Sequence, residues 1–250
     1  LMAPMENNLV IMQNLSQIYW PQGGINSLGN FDNASGYALK TTLETDFSMC
    51  DTAYADTEIQ LDAGWHYLPV LSTCPVDAAE LFGEFPNEIM FVQDLIGTGV
   101  YWPEMNINSL EDLMPGSAYK IKLIDPVTLS FPQCEKGTLS PTNRQTDIET
   151  PWGYVSLMPA SEQVAFTQDA LKKLEQGDMI GAFDDAGNIF GFMEVEDPTK
   201  NQVITLFGDD LLAADKNGFA EGQPVNFRLL RQDNGTEYGL QVTYSLRYDN

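Results

Sequence analysis

Val100-Tyr101-Trp102-Pro103, followed by Ile107-Asn108-Ser109-Leu110, repeats Ile18-Tyr19-Trp20-Pro21, followed by Ile25-Asn26-Ser27-Leu28. The Ile-Asn-Ser-Leu quartet is identical and stands the same distance behind Tyr-Trp-Pro in both places. Upstream, Leu1, Asn7 and Gln13 coincide with Leu81, Asn87 and Gln93. Downstream, Ser35-Gly36-Tyr37-Ala38-Leu39-Lys40 faces Ser117-Ala118-Tyr119-Lys120-Ile121-Lys122, and Phe47-Ser48-Met49-Cys50 faces Phe131-Pro132-Gln133-Cys134. Self-similarity over this length is the signature of a duplicated structural unit. Its offset drifts only by short insertions, which loops tolerate.

The second copy carries an opening, from Asp56 to Glu80, that the first lacks. It includes Gly64-Trp65-His66-Tyr67-Leu68-Pro69-Val70, an apolar run of strand length. The expectation is that residue 1 falls partway through a repeat of a longer protein; the competing reading is a repeat evolved to stand without its opening. The missing opening predicts an exposed edge or groove on the first copy, covered by the second copy or by a separate polypeptide.

Periodicity predicts strands at 59–61, 65–71, 89–92, 99–102, 118–124 and 127–131, and a short helix at 77–82 begun by Asp77. Ser109 to Leu113 reads as one capped helical turn before Pro115-Gly116. The domains expected are residues 1–53, a first repeat copy lacking its opening; 54–134, the complete copy; 135–150, a Thr/Ser/Pro-rich linker; and 151–250, a module without the repeat. In that module, 168–176 reads as the clearest helix. Strands are predicted at 154–158, 179–183, 189–195, 202–207, 225–231 and 238–244, separated by turn residues such as Asn234-Gly235. The expected class is mainly β: small β-rich repeat units with short helices, followed by an antiparallel sandwich-like domain.

The 250 residues carry 36 acidic and 12 basic side chains, a net charge of -24. Nucleic acid is disfavoured as a partner, because phosphate contacts need clustered Lys and Arg. An anionic membrane surface is disfavoured for the same reason, and no apolar run approaches the ~20 residues of a spanning helix, so no membrane insertion is expected. Aromatics at 11% argue against a chain disordered throughout.

The opening from Trp65 to Val70, Cys74, Tyr-Trp-Pro with Ile-Asn-Ser-Leu, and the closing Phe-Pro-Gln-Cys resemble a repeat of large secreted proteins of Bacteroidota. Gly177-Asp178-Met179-Ile180-Gly181-Ala182-Phe183, Phe207-Gly208-Asp209-Asp210 and Asp215-Lys216-Asn217-Gly218-Phe219-Ala220-Glu221-Gly222 look like the module that often follows such repeats. The resemblance covers nearly all of the chain except the linkers. It implies a multidomain export of the type IX secretion route, at the outer cell surface or released, and supplies no catalytic residues.

Cys74 and Cys134 lie at the first and last strands of the complete copy, where a disulfide would close a long loop worth about 4 kcal/mol in the chain-entropy model. Cys50 corresponds to Cys134, and its expected partner belongs to the absent opening; three buried free thiols are the competing reading. His66, the only histidine, sits in a strand pattern and reads as structural. No triad, C-x-x-C, H-E-x-x-H or phosphate loop marks an enzyme, and none is expected.

Three further sites are candidates. Trp20 and Trp102 could stack on glycans, against the competing reading of core packing, since adjacent strand residues point to opposite faces. Asp209, Asp210, Asp215, Asn217 and Glu221 offer the hard oxygens that calcium takes, without EF-hand spacing; ordinary turn-forming is the competing reading. Asp51-Thr52-Ala53 resembles the short O-glycosylation motif of Bacteroidota, making Thr52 the acceptor. The expected function is a non-catalytic extracellular segment of a larger modular surface or secreted protein, serving structural display or adhesion. The alternative is a carbohydrate-binding accessory region of a secreted hydrolase, and a calcium-dependent surface-layer component is a third reading. The expected partners are the remainder of the parent polypeptide, another surface protein, or glycans.

Overall fold

A computed structural model describes residues 5, 7–32, 34–43, 57–132, 147–210, 213 and 215–244. The chain is mainly β, built from antiparallel sheets, with two short α-helices among the described residues. Its contacts divide it into two compact units, Leu1–Glu104 with Asn108–Thr142, and Asn143–Asn250 with Met105–Ile107.

In the first unit, β1 (Leu9–Gln13), β2 (Ile18–Trp20), β3 (Ile25–Asn26) and β4 (Ala38–Thr41) form one sheet in the order β3-β2-β1-β4. The opening of the second copy contributes β5 (Glu58–Leu61), β6 (Gly64–Pro69), β7 (Val76–Asp77) and the first three residues of helix α1 (Ala78–Phe82). The rest of that copy contributes β8 (Ile89–Asp94), β9 (Val100–Trp102), β10 (Ile107–Asn108), β11 (Asp112–Leu113), β12 (Ala118–Leu123) and β13 (Val127–Ser130). Its main sheet runs β10-β9-β8-β12-β6, with β7–β11 and β5–β13 as two further antiparallel pairs. Alternation decides the faces of β12. Tyr119, Ile121 and Leu123 are buried, while Lys120 and Lys122 lie on the opposite face against Trp65. The Asp77 carboxylate caps α1 by accepting from the Glu80 N–H at 2.8 Å, and α1 delivers Ala78, Leu81 and Phe82 to the core.

The two copies repeat one another bond by bond. Met12 lies opposite Tyr19 and Leu39 as Val92 lies opposite Tyr101 and Ile121. Gln13 lies opposite Ile18 and Ala38 as Gln93 lies opposite Val100 and Lys120. Both long pairings carry a bulge at the same place, Val10 in the first and Met90 in the second. The Ser27 hydroxyl accepts from the Ile18 N–H at 2.8 Å and donates to the Ile18 carbonyl at 3.2 Å. Ser109 does the same for Val100, at 3.1 and 3.4 Å. The Tyr37 hydroxyl accepts from the Asp32 N–H, and Tyr119 from Met114. A one-residue slip would send every side chain to the wrong face, so a shared register with a shared bulge is the mark of one fold used twice.

Two expectations in this unit are corrected. Ser109 to Leu113 is not a helical turn: Asp112–Leu113 is a strand paired to β7, and Glu111 takes a φ of 57°. Ser109 cannot cap a helix because its hydroxyl is committed to Val100, and the Glu111 carbonyl accepts from the Ala78 N–H. The strand expected to run through Leu71 ends at Pro69, which offers no N–H to a ladder.

The second unit holds β14 (Asp147–Thr150), β15 (Gly153–Ser156), β16 (Ser161–Phe166), α2 (Gln168–Leu171), β17 (Met179–Phe183), β18 (Ile189–Glu194), β19 (Gln202–Phe207), β20 (Asn226–Leu230) and β21 (Glu237–Leu240). Six strands form an antiparallel sheet in the order β16-β19-β18-β17-β20-β21. Ile180, Ala182, Met193, Val195, Ile204, Phe227 and Leu229 make its core with Phe166 and Leu171. The β14–β15 hairpin sets Trp152 against Gly181, Phe183 and Phe192, which alternate with those core positions. The last four residues of the expected 135–150 linker are therefore strand β14. The expected helix at 168–176 stops at Leu171, because the Glu175 N–H donates to Asp178 Oδ2 at 2.8 Å and the Gly177 N–H to the Val195 carbonyl. The chain is turned back into β17 before a second helical turn can form. Ser161–Phe166, which no sequence pattern marks, pairs along its whole length with β19.

Candidate functional site

The β17–β18 turn is organised by one buried carboxylate. Asp184 accepts from the Ala186 and Asn188 N–H groups at 3.0 and 2.9 Å and from Asn188 Nδ2 at 3.1 Å. Its other partner is the Lys216 ammonium at 2.8 Å, which also donates to Gln223 Oε1 at 3.0 Å and lies over the Phe190 ring. Hydrogen bonding to Lys216, helped by Asn188, holds the Asp184 carboxyl well below the usual carboxylate range against the opposing effect of burial.

The acidic loop from Gly208 to Glu221 is fastened here. Asp209 Oδ1 accepts from the Asn217 N–H at 2.9 Å, and Asn217 Oδ1 accepts from the Asp210 N–H at 3.0 Å. Gly208 and Phe219 form a parallel bridge, and a Cβ on Gly218 would stand 2.2 Å from the Gly208 carbonyl carbon. Asp209, Asp210 and Asn217 are thus brought together as a backbone latch, while Asp215 and Glu221 are exposed. Among the described residues no group of three His, Cys, Asp or Glu side chains is placed to hold a metal ion. The positive charge paired with Asp184 is the loop's own Lys216.

Beside this latch lies a cleft of about 330 Å³. One wall is the hairpin tip and β15, with Trp152, Tyr154 and Ser156; the other is the β17–β18 turn and the loop, with Asn188, Phe190, Lys216 and Asn217. The tip is fixed by the Thr150 hydroxyl, which accepts from the Trp152 N–H at 3.2 Å and donates to the Gly153 carbonyl at 2.7 Å. Gly153 has a φ of +125°, a region closed to other residues. Trp152 is anchored by its ring on Phe183 and by Nε1–H donating to Glu237 Oε2 at 2.8 Å. Tyr154 is 68% exposed. A planar exposed ring beside amide and ammonium donors is an arrangement that can hold a small polar ligand with apolar faces.

The other candidates fall as follows. Trp20 is half-buried with Gly23 tight against its ring, where a Cβ would stand 2.4 Å away. Trp102 is half-buried and tilted against Phe91 at 5.9 Å, and Phe91 in turn meets Trp65 edge-on. Both rings are engaged within their own copies. His66 Nε2 lies 2.8 Å from the Asp62 carbonyl at the edge strand β6. The Cys74 N–H donates to the Ser72 hydroxyl, which donates to the Pro132 carbonyl at 3.0 Å. Cys50, Cys134 and Thr52 lie outside the described residues.

The cleft is not legible in the sequence. Pro151-Trp152-Gly153-Tyr154 shows there only as two aromatics at a turn, and Lys216 only as a cation in an acidic loop. Their meeting depends on the hairpin docking on the sheet. No family model, curated protein or solved structure matches the chain. No helix among the described residues is long and apolar enough to cross a membrane.

Proposed function

We propose that this chain is a non-catalytic extracellular segment of a larger modular surface or secreted protein, serving structural display or adhesion. The observation that carries the reading is the duplicated β unit with its shared register and bulge. Tandem reuse of one small fold extends a chain and multiplies surface without requiring an active centre. The net charge of -24 keeps such a surface solvated and repels anionic partners. The resemblance to repeats of secreted Bacteroidota proteins points the same way, toward the outer cell surface and the type IX route.

The compartment follows from the cysteines. We assign Cys134 as the partner of Cys74, supported by the Ser72 bridge that holds Pro132, two residues before Cys134, beside Cys74. A structural disulfide persists outside the reducing cytosol. Non-reducing peptide mapping of native material is expected to return a Cys74–Cys134 peptide. A Cys50–Cys74 bridge, or three free thiols, would contradict both the pairing and the compartment.

A second reading, carbohydrate binding, is favoured by one observation, the cleft under Tyr154. Sugars present apolar faces to aromatic rings and hydroxyls to amide groups. Glycan arrays with the intact chain test it: Tyr154→Ala is expected to abolish glycan binding while leaving the melting temperature within about 2 °C, as an exposed side chain allows. Retained binding in that variant, or no glycan bound by the parent chain, removes this reading and leaves display.

A further inference from the structure

Hydrogen bonds behind the walls of the cleft decide which polar atoms face a ligand and which charge it meets. Asn188 gives its Nδ2 to Asp184 Oδ2 at 3.1 Å, so the other end of its planar amide, Oδ1, remains as an acceptor. Asn217 is held the opposite way round. Its Oδ1 accepts from the Asp210 N–H at 3.0 Å, and Nδ2 remains as a donor. Both amides line the cleft, beside the exposed ring of Tyr154. Lys216 is the one charged side chain among the described residues of its walls. That charge is matched at 2.8 Å by Asp184, which is 3% exposed. The cleft thus offers an oriented acceptor, an oriented donor and an aromatic face, with its cation already neutralised.

The following inference rests on the carbohydrate-binding reading and narrows it to a class of sugar. We propose that the cleft takes one neutral pyranose ring with two adjacent hydroxyls, one donating to Asn188 Oδ1 and the other accepting from Asn217 Nδ2, its apolar face on Tyr154. A hydroxyl donates and accepts at once, so a pair of hydroxyls answers an amide acceptor and an amide donor together. The volume of about 330 Å³ stands at the lower end of the ~300–1,000 Å³ of small-molecule sites, which suits a single ring. An acidic sugar is disfavoured twice. Its carboxylate would have to share the Lys216 ammonium with Asp184, which would leave a buried carboxylate only partly paired. The net charge of -24 also repels an approaching anion. A protonated amino sugar would meet the Lys216 ammonium itself.

The test uses the full 250-residue chain in titrations followed by NMR. The probes are the methyl glycosides of glucose, galactose and mannose, each beside its uronic acid. At least one neutral glycoside is expected to bind, and its uronic acid to bind at least tenfold more weakly. Monodeoxy derivatives of that glycoside are expected to lose tenfold or more at two adjacent ring positions only. Asn217→Asp keeps an oxygen for the Asp210 N–H and exchanges the Nδ2 donor for a second oxygen. It is expected to weaken binding tenfold or more, and the deoxy series carries the test where that variant fails to fold. A uronic acid bound as tightly as its neutral glycoside, losses without an adjacent pair, or unchanged binding in a folded Asn217→Asp each overturns the proposal and leaves the carbohydrate reading standing. Binding of none of the six probes overturns it as well. The glycan array then separates the two: a chain that binds no glycan there loses both readings, and one that binds a glycan without a neutral pyranose loses the proposal alone.

Discussion

At the scale of single residues, buried polar groups decide how the loops sit. Ser109 and Ser27 make the same pair of bonds, yet Val100 is fully buried and Ile18 only half-buried. Removing the hydroxyl strands the N–H of Val100 away from water, a loss of about 1–3 kcal/mol, whereas water can replace it at Ile18. Ser109→Ala is therefore expected to destabilise the first unit by about 2 kcal/mol and Ser27→Ala by less than about 1 kcal/mol, measured by urea unfolding; equal losses would contradict this difference in burial. In the second unit, the Asp184–Lys216 pair carries a pH dependence. A carboxyl whose folded pKa is lowered adds stability that is fully present above its unfolded value, about 3.9, and is lost as pH falls through the folded value. Asp184→Asn is expected to lower the melting temperature at pH 7, with the gap to the parent chain closing below about pH 4. A gap independent of pH would mean that the charge of Asp184 contributes nothing. Asp178, 1% exposed, accepts from the Glu175 and Gln232 N–H groups and pairs with Arg231. Asp178→Ala strands all three partners and is expected to cost about 3 kcal/mol in chemical denaturation.

At the scale of elements, the sequence reveals whatever local alternation or capping decides. Strands β8, β12, β17 and β19 follow runs whose apolar residues leave one face choice, and α1 follows from Asp77 standing one residue before it. Elements settled by distant partners are not legible. Ser109 looks like a cap because local sequence does not reveal that its hydroxyl is spent on Val100, nine residues away. The 168–176 stretch has helical spacing, but the Asp178 carboxylate and the Val195 carbonyl end the helix from outside it. The same reason hides the cleft, whose walls come from three separated stretches of chain. The Trp152 hairpin offers a direct check on that docking. Trp152→Ala removes a ring packed on Phe183 and Phe192, and is expected to cost about 3 kcal/mol. Tyr154→Ala, two residues on and exposed, is expected to be near neutral. Comparable losses at both positions would mean that Tyr154 is covered.

At the scale of the whole molecule, one unit is made from a fold used twice, and the other from a single antiparallel sheet with its docked hairpin. The repeat is the most legible feature of the sequence, since Tyr-Trp-Pro and Ile-Asn-Ser-Leu by themselves mark the positions of β2, β3, β9 and β10. The measurement that bears most directly on the duplication is the pattern of cross-strand Overhauser effects in solution. Backbone contacts are expected to place Met12 opposite both Tyr19 and Leu39, and Val92 opposite both Tyr101 and Ile121, in the same spectrum. A first copy shifted by even one residue from this register, or one that shows no such contacts, would contradict the claim that one fold is used twice.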